Sequence, residues 1–333
     1  MLANVECMDT TELEVRYHDW VAEHPSAAAD FREVVEDLLA DSGVTYDRVT
    51  ARIKEWRSLQ TKANKKTAAG TPAYPDPWHD IHDIIGVRVT TYHSTEIPSV
   101  VSVLQDSFHV IRSVDKAAET RISGGFGYGS HHVVIKVPET QQELSAYHGM
   151  VFEVQVRTVL QHAWAEFEHD IRYKDPGGSM DPRIDRAFTL AAGLIELADQ
   201  QFDQIAAIQA APPAQSDDVA LSAETLPGVL SVLIGNRFSR SKSESYRWLE
   251  EILTANGITT IAQLKDLLND ADIAKVEQAM RYRFKPGHVR IIDDVLLRKF
   301  GHQHILRTTK GRRGLARATR LRDRLETMRL HER

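Results

Sequence analysis

The chain has 333 residues, 42% hydrophobic and 26% charged, which excludes a mainly disordered polymer and supplies apolar material for two packed domains. Its single cysteine, Cys7, cannot pair within the chain, and no CxxC or Cys/His spacing suits structural zinc, so a reducing cytoplasm is expected. A net charge of -6 excludes a uniformly basic nucleic-acid binder, and no run approaches the ~18 apolar residues of a membrane span, so neither export nor membrane integration is expected.

Residues 10 to 66 read as helices. Thr11 and Glu14 have capping-box spacing, and Phe31, Val34, Val35, Leu38 and Leu39 recur at intervals of three and four. Within RIKEWRSLQTKANKK, the i,i+4 steps Lys54, Ser58, Lys62 and Lys66 predict one ridge of a helix, closed by Arg52, with Val49, Ile53 and Trp56 opposite. A solvated helix face is the ordinary meaning of such a row. Seven Lys/Arg between Arg48 and Lys66 with few acids to pair them, plus a hydroxyl, also suit a polyanion such as a triphosphate.

After the loop TAAGTPAYPDPW the pattern alternates from 84 to 157, with strands near IIGVRVTTY, FHVIRSV, YGSHHVVIKV and VFEVQVR and one helix near 97 to 107. HDIHDIIGVRV sets Asp83 just before a strand and Arg88 within it. Taken alone Asp83 is a turn aspartate, yet a strand edge is also a usual place for a Mg²⁺ ligand. The glycines of SGGFGYGSHHVVIKV precede a strand rather than a helix, which excludes a P-loop or Rossmann turn. Tyr128, Ser130, His132 and Lys136 share one face there, a row able to stack a base and hold its phosphates. In VFEVQVR, Glu153, Gln155 and Arg157 share a face. Glu153 is a second carboxylate, fit to join Asp83 on Mg²⁺ or to take a proton from a hydroxyl nucleophile.

Two other readings stay open on these residues. His79-Asp80 and His82-Asp83, with His162, Glu166 and His169, permit a metal-dependent phosphohydrolase of the HD type. A non-catalytic nucleotide sensor would keep the basic row and the tyrosine but has little need of two carboxylates.

Helix returns from Val159 to about Ile208, so the order of elements predicts an α+β domain, a mixed β-sheet flanked by helices. AAPPAQSDD reads as a linker. The expected division is a first domain over 1–208, a linker over 209–223, a C-terminal helical module over 224–306 and a basic tail over 307–333. Lys310 to Arg333 hold nine basic and three acidic residues, and Leu315, Leu321, Leu325 and Met328 fall at helical intervals. That pattern suits a solvated amphipathic helix, packing on an acidic surface, or an electrostatic dock for RNA, a polyphosphorylated effector or a neighbouring subunit.

Four ordered motifs resemble the synthetase domain of the RelA/SpoT alarmone synthetases, above all the small single-activity members: Arg52-x-Lys54-x3-Ser58-x3-Lys62-x3-Lys66, Asp83-x2-Gly86-x-Arg88, Gly127-Tyr128-x-Ser130-x-His132 and Glu153-x-Gln155-x-Arg157. The helix LQHAWAEFEHDIRYK matches the family's usual ending, and the resemblance covers about 25 to 205. It implies a nucleotidyltransferase-like fold and transfer of pyrophosphate from ATP to the ribose 3'-hydroxyl of a guanine nucleotide, with Mg²⁺, in a cytoplasmic homo-oligomer. By position it implies that Arg52 and Arg88 sandwich adenine and that Lys54, Ser58, Lys62 and Lys66 hold the ATP phosphates. The resemblance also implies that Asp83 and Glu153 serve the metal, with Glu153 also the base. On the same resemblance Tyr128 is expected to stack on guanine, His132 and Lys136 to meet acceptor phosphates, and Ser130, Gln155 and Arg157 to complete the acceptor side. Gly129 stands where the family commonly has a basic or polar residue, and His131 where an apolar one is usual. The acceptor is therefore open among GMP, GDP, GTP, an adenine nucleotide and a tRNA 3' end. The family's hydrolase domain is expected to be absent, since only about 25 residues precede the match.

Overall fold

The computed structural model describes residues 10–116, 129–174, 182–209, 221–309 and 314–331. Contacts divide the chain into two compact units, Met1–Asp37 with Tyr46–Ile205, and Leu38–Thr45 with Ala206–Arg333.

In the first unit, helices α1 (Thr10–Glu23) and α2 (Ala27–Ser42) precede strand β1 (Arg48–Ile53), helix α3 (Trp56–Ala63) and the short α4 (Pro77–Asp80). Then come β2 (Ile85–Thr91), α5 (Ile97–Ser107), β3 (His109–Asp115), β4 (His131–Lys136), β5 (Val151–Thr158), α6 (Val159–Lys174) and α7 (Pro182–Gln209). The strands form one mixed sheet of order β1-β2-β5-β4-β3, in which β2 and β5 run parallel and the other pairs antiparallel. The α+β architecture expected from the order of elements is therefore present.

Two-residue alternation decides what each face carries. Val49, Val87, Val89, Val154, Val156, Val133 and Ile135 are buried. Phe152, on the same face of β5, meets Phe31 of α2 at a ring-centroid distance of 4.7 Å and Phe108 at 5.3 Å, while α5 packs on β5 and β3. The other face carries Arg52, Arg88, Glu153, Gln155 and His132. Its register sets Arg52 opposite Gly86, Gly86 opposite Glu153, Arg88 opposite Gln155 and Gln155 opposite His132.

The helical reading of residues 10 to 66 fails at Arg48–Ile53, which is strand β1. RVTARI has β-branched Val49, Thr50 and Ile53, and pairing with β2 satisfies its backbone, so tertiary context overrides the 3.6-residue spacing of its basic residues. The predicted ridge is thus not one helix. Arg52 lies on β1, Lys54 in the turn, Ser58 and Lys62 on α3, and Lys66 beyond the helix in an isolated bridge with Pro72.

The second unit is helical: α8 (Leu226–Leu233), α9 (Ser243–Ala255), α10 (Ile261–Leu267), α11 (Asp270–Met280), α12 (His288–Phe300), α13 (His302–Thr308) and α14 (Gly314–His331). The segment read as a basic tail contributes α14, whose Leu321, Leu325 and Met328 are buried in this unit's core. Arg317 and Arg324 donate to the buried Asp293, which also accepts from His304 Nε2 at 2.9 Å. A solvated helix would leave these groups in water. Burial pushes the Asp293 carboxyl up, but His304 and the two guanidiniums outweigh it and hold the group ionised. Arg290 joins Asp294 to Asp41, so residues 38–45 are part of this unit's polar network. Gly43 has φ +74°, and a Cβ on Gly287 would lie 2.5 Å from Gly43 Cα, so both positions require glycine at that crossing.

Candidate active site

The turn between β1 and α3 is fixed from two sides. The Lys54 amide donates to Ile84 O at 2.8 Å, and the Tyr17 hydroxyl of α1 donates to Lys54 O at 2.9 Å. This aims the lysine at Asp83, which stands before β2. Lys54 Nζ and Lys62 Nζ each lie 2.9 Å from a different Asp83 oxygen, and Lys62 Nζ also sits 5.7 Å from the centre of the Tyr74 ring. Burial pushes the Asp83 carboxyl up, but the two ammonium groups prevail and hold it below the usual range.

A polar chain runs across β4 and β5. His132 Nδ1 is 2.8 Å from Glu153 Oε1, which turns Nε2 to the Ser130 hydroxyl at 2.7 Å. Gln155 Nε2 donates to Glu153 Oε2 at 3.3 Å, and Arg157 Nη2 donates to Gln155 Oε1 at 3.2 Å. Burial pushes the Glu153 carboxyl up; the His132 and Gln155 hydrogen bonds outweigh it, so the group is held ionised. Asp83 is near enough to push Glu153 up by like charge. Two ionised carboxylates therefore share one region beside two lysines.

Arg88 Nη1 donates to Glu166 Oε1 of α6 at 2.8 Å and lies 3.5 Å from His162 Nδ1. Arg157 is buried on the adjoining strand, and burial together with the Arg88 charge brings its guanidinium down to about 10. The opening of α6 follows from a reciprocal cap. The Thr158 hydroxyl accepts from the Gln161 amide at 3.1 Å, and Gln161 Oε1 accepts from the Thr158 amide at 3.0 Å. That cap is why the polar strand becomes a helix at once and returns Glu166 to the sheet.

Of the residues singled out in the sequence, Lys54, Lys62 and Asp83 are brought together, as are Ser130, His132, Glu153, Gln155 and Arg157. Arg52 and Ser58 are exposed near them, Lys66 is exposed in its loop and Lys136 is exposed at the end of β4. Tyr128 lies outside the described residues. The hydrolase ligand set is not assembled. His79 pairs with Asp76, His162 and Glu166 turn to Arg88, and among the described residues no group of three or more His, Cys, Asp or Glu is placed to hold a metal ion. Tyr74, Tyr17 and the Arg88 role of Glu166 escaped the sequence reading. The i,i+4 spacing of His162 and Glu166 was the one available signal for the last.

The profile of the family described as "Region found in RelA / SpoT proteins" matches residues 51–178. The GTP pyrophosphokinase YjbM of Bacillus subtilis (strain 168) is 30% identical over 171 residues, covering 49% of this chain and 75% of that protein. The chain belongs to the RelA/SpoT family. A second relative, GTP pyrophosphokinase YwaC of the same organism, is 28% identical over 130 residues, which is 38% of this chain and 59% of that protein. Among solved structures, the small alarmone synthetase 1 from Bacillus subtilis matches with a TM-score of 0.49 at 23% identity, over 59% of this chain and 99% of that one. The same protein bound to its product pppGpp gives 0.48 at 23% identity, over 59% and 99%. The RelA/SpoT match contains every motif residue from Arg52 to Arg157. Among the described residues, no helix is long and apolar enough to cross a membrane.

Proposed function

We propose that this chain transfers the β,γ-pyrophosphate of ATP to the ribose 3'-hydroxyl of a guanine nucleotide, making (p)ppGpp-type alarmones in the cytoplasm. The observation that carries the reading is the Glu153–His132 pair set beside an Asp83 held by Lys54 and Lys62. In the reaction the 3'-oxygen forms a bond to the β-phosphorus, the bond from that phosphorus to the α-phosphate oxygen breaks, and AMP leaves. Glu153 accepts the hydroxyl proton, and His132 holds its carboxylate in the receiving orientation. Lys54 and Lys62, with Ser58 and Lys66 nearby in sequence, bind the triphosphate. Positioning and charge neutralisation supply most of the acceleration in such a displacement.

Arg52 and Arg88 are diagonal neighbours on β1 and β2, since Arg88 stands opposite Thr50. Such neighbours are ~7–8 Å apart, room for one flat ring between two guanidinium planes, which supports adenine there. On the acceptor side, this reading assigns guanine stacking to Tyr128, phosphate contacts to His132 and Lys136, and placement of the ribose to Ser130, Gln155 and Arg157. The donor set fits a Mg²⁺ ion, since Asp83 and Glu153 are both held ionised near each other and each Asp83 oxygen has one lysine partner and a second lone pair. Bound there, the metal would neutralise phosphate charge. The partners implied are ATP, a guanine nucleotide and a second copy of the chain. Leu190, Leu194 and Leu197 on α7 are each more than half exposed at i, i+4 and i+7, a stripe that self-association would cover.

The test is incubation of purified protein with labelled ATP and Mg²⁺ in the presence, separately, of GMP, GDP, GTP, AMP and a tRNA. Release of AMP with a 3'-pyrophosphorylated guanine nucleotide is expected. AMP-free hydrolysis, or label only on AMP acceptors or tRNA, would overturn the guanine reading.

A further inference from the structure

Arg88 and Arg157 present an electrostatic problem. They lie on the same face of adjoining strands, with Arg88 opposite Gln155 and Thr90 opposite Arg157, and Arg157 is 6% exposed. Among the described residues neither Nε has a hydrogen-bond partner. Like charges on neighbouring strands repel, and the Arg157 guanidinium is depressed first by its burial and then by the Arg88 charge. Glu166 opposes it. Its carboxylate binds Arg88 directly and favours the charged form of Arg157 at a distance, while His162 lies 3.6 Å from the same Glu166 oxygen.

Burial and the neighbouring arginines push the His162 imidazole down, toward a neutral ring able to accept from Arg88 at Nδ1. Both contacts reach the edge of the guanidinium, through Nη1. Hydrogen bonds to a guanidinium edge lie in its plane and leave its flat face open for stacking. Glu166 is 57% exposed at its side chain, and an ion pair so open to water adds little to folding stability. A carboxylate of small structural value that fixes the plane of a buried-edge arginine has another use.

We infer that Glu166, assisted by His162, is a positioning residue for nucleotide recognition: it holds the Arg88 guanidinium in the plane that a purine ring of the donor nucleotide stacks upon. This deepens the proposed function and rests on its assignment of Arg88 to the ATP base. Removing the carboxylate frees Arg88 to turn away from Arg157, so the loss falls on the donor nucleotide and not on the acceptor.

The experiment is a double-mutant cycle read by calorimetric binding, with the non-transferable α,β-methylene analogue of ATP as one probe and GDP as the other. Glu166→Gln should weaken binding of the ATP analogue about two- to fivefold, a size in keeping with an exposed ion pair that orders one side chain. GDP binding and the thermal midpoint should stay the same, and Glu166→Asp should recover part of the loss. In the Arg88→Ala background, Glu166→Gln should have no further effect. An equal loss in both backgrounds, a loss shared by GDP, or no loss at all would overturn the inference. Because binding is read without turnover, wild-type protein that binds the analogue yet forms no alarmone would sink the proposed reaction and leave the Glu166 result standing.

Discussion

His132 and Glu153 are joined diagonally across β4 and β5: His132 stands opposite Gln155 in the register, yet its Nδ1 reaches Glu153 Oε1 at 2.8 Å. The diagonal bond occupies Glu153 Oε1, and a second bond donated by Gln155 Nε2 occupies Oε2, which fixes the carboxylate plane. Glu153→Gln keeps the shape but accepts no proton. Turnover should fall by about 10²–10⁴ while affinity for ATP stays within a few-fold. Steady-state rates with equilibrium binding decide it, and near-native turnover would remove Glu153 from the mechanism.

The same bond fixes the sign of a pH effect. The Glu153 carboxyl lies below its ordinary value of 4.5, so the basic form is complete at neutral pH and the acid limb of the rate profile lies below that value. In His132→Ala, burial and the Asp83 charge would act against a weaker set of donors, and the carboxyl must rise. The acid limb should move to higher pH, measured as the pH profile of kcat/KM. An unchanged limb would assign it to another group.

Asp83 carries a stability consequence. Its folded value is depressed, so the stabilisation by Lys54 and Lys62 is fully present above the unfolded pKa of about 3.9 and is lost as pH falls through the lower folded value. Asp83→Asn should therefore destabilise the first unit at neutral pH and flatten its loss of stability in acid. Urea unfolding from pH 7 down to pH 3 measures this, and parallel curves for the two proteins would contradict it.

Gly287→Ala should be severe for a one-carbon change. The added Cβ would meet backbone of Gly43 at 2.5 and 2.7 Å, where no flexible side chain can give way. Overpacking of this kind costs about 1–3 kcal/mol or more, and the second unit's denaturation midpoint should drop while nucleotide binding by the first is kept.

Leu194→Glu sets a charge in the middle of the exposed stripe on α7, at a side chain that is 69% exposed. Sedimentation should show a shift to a smaller species with the secondary structure unchanged. A wild-type protein that is monomeric at micromolar concentration would end the self-association reading.

What the sequence determined by itself is local. The alternation of VFEVQVR and HHVVIKV places His132, Glu153, Gln155 and Arg157 on one face because a strand repeats every two residues, and four motifs in fixed order were enough to suggest the family. The tertiary structure decided which elements those motifs occupy and which side chains meet. Arg48–Ile53 carries basic residues at helical spacing but became a strand because β2 offered a partner for its backbone, and that choice turned Lys54 toward Asp83, 29 positions away in sequence. Glu166 reaches Arg88 across 78 positions, and Arg324 of the terminal helix reaches Asp293 across 31. No periodicity encodes such pairs, since they follow from how whole elements pack and from the high cost of leaving a buried charge without a partner.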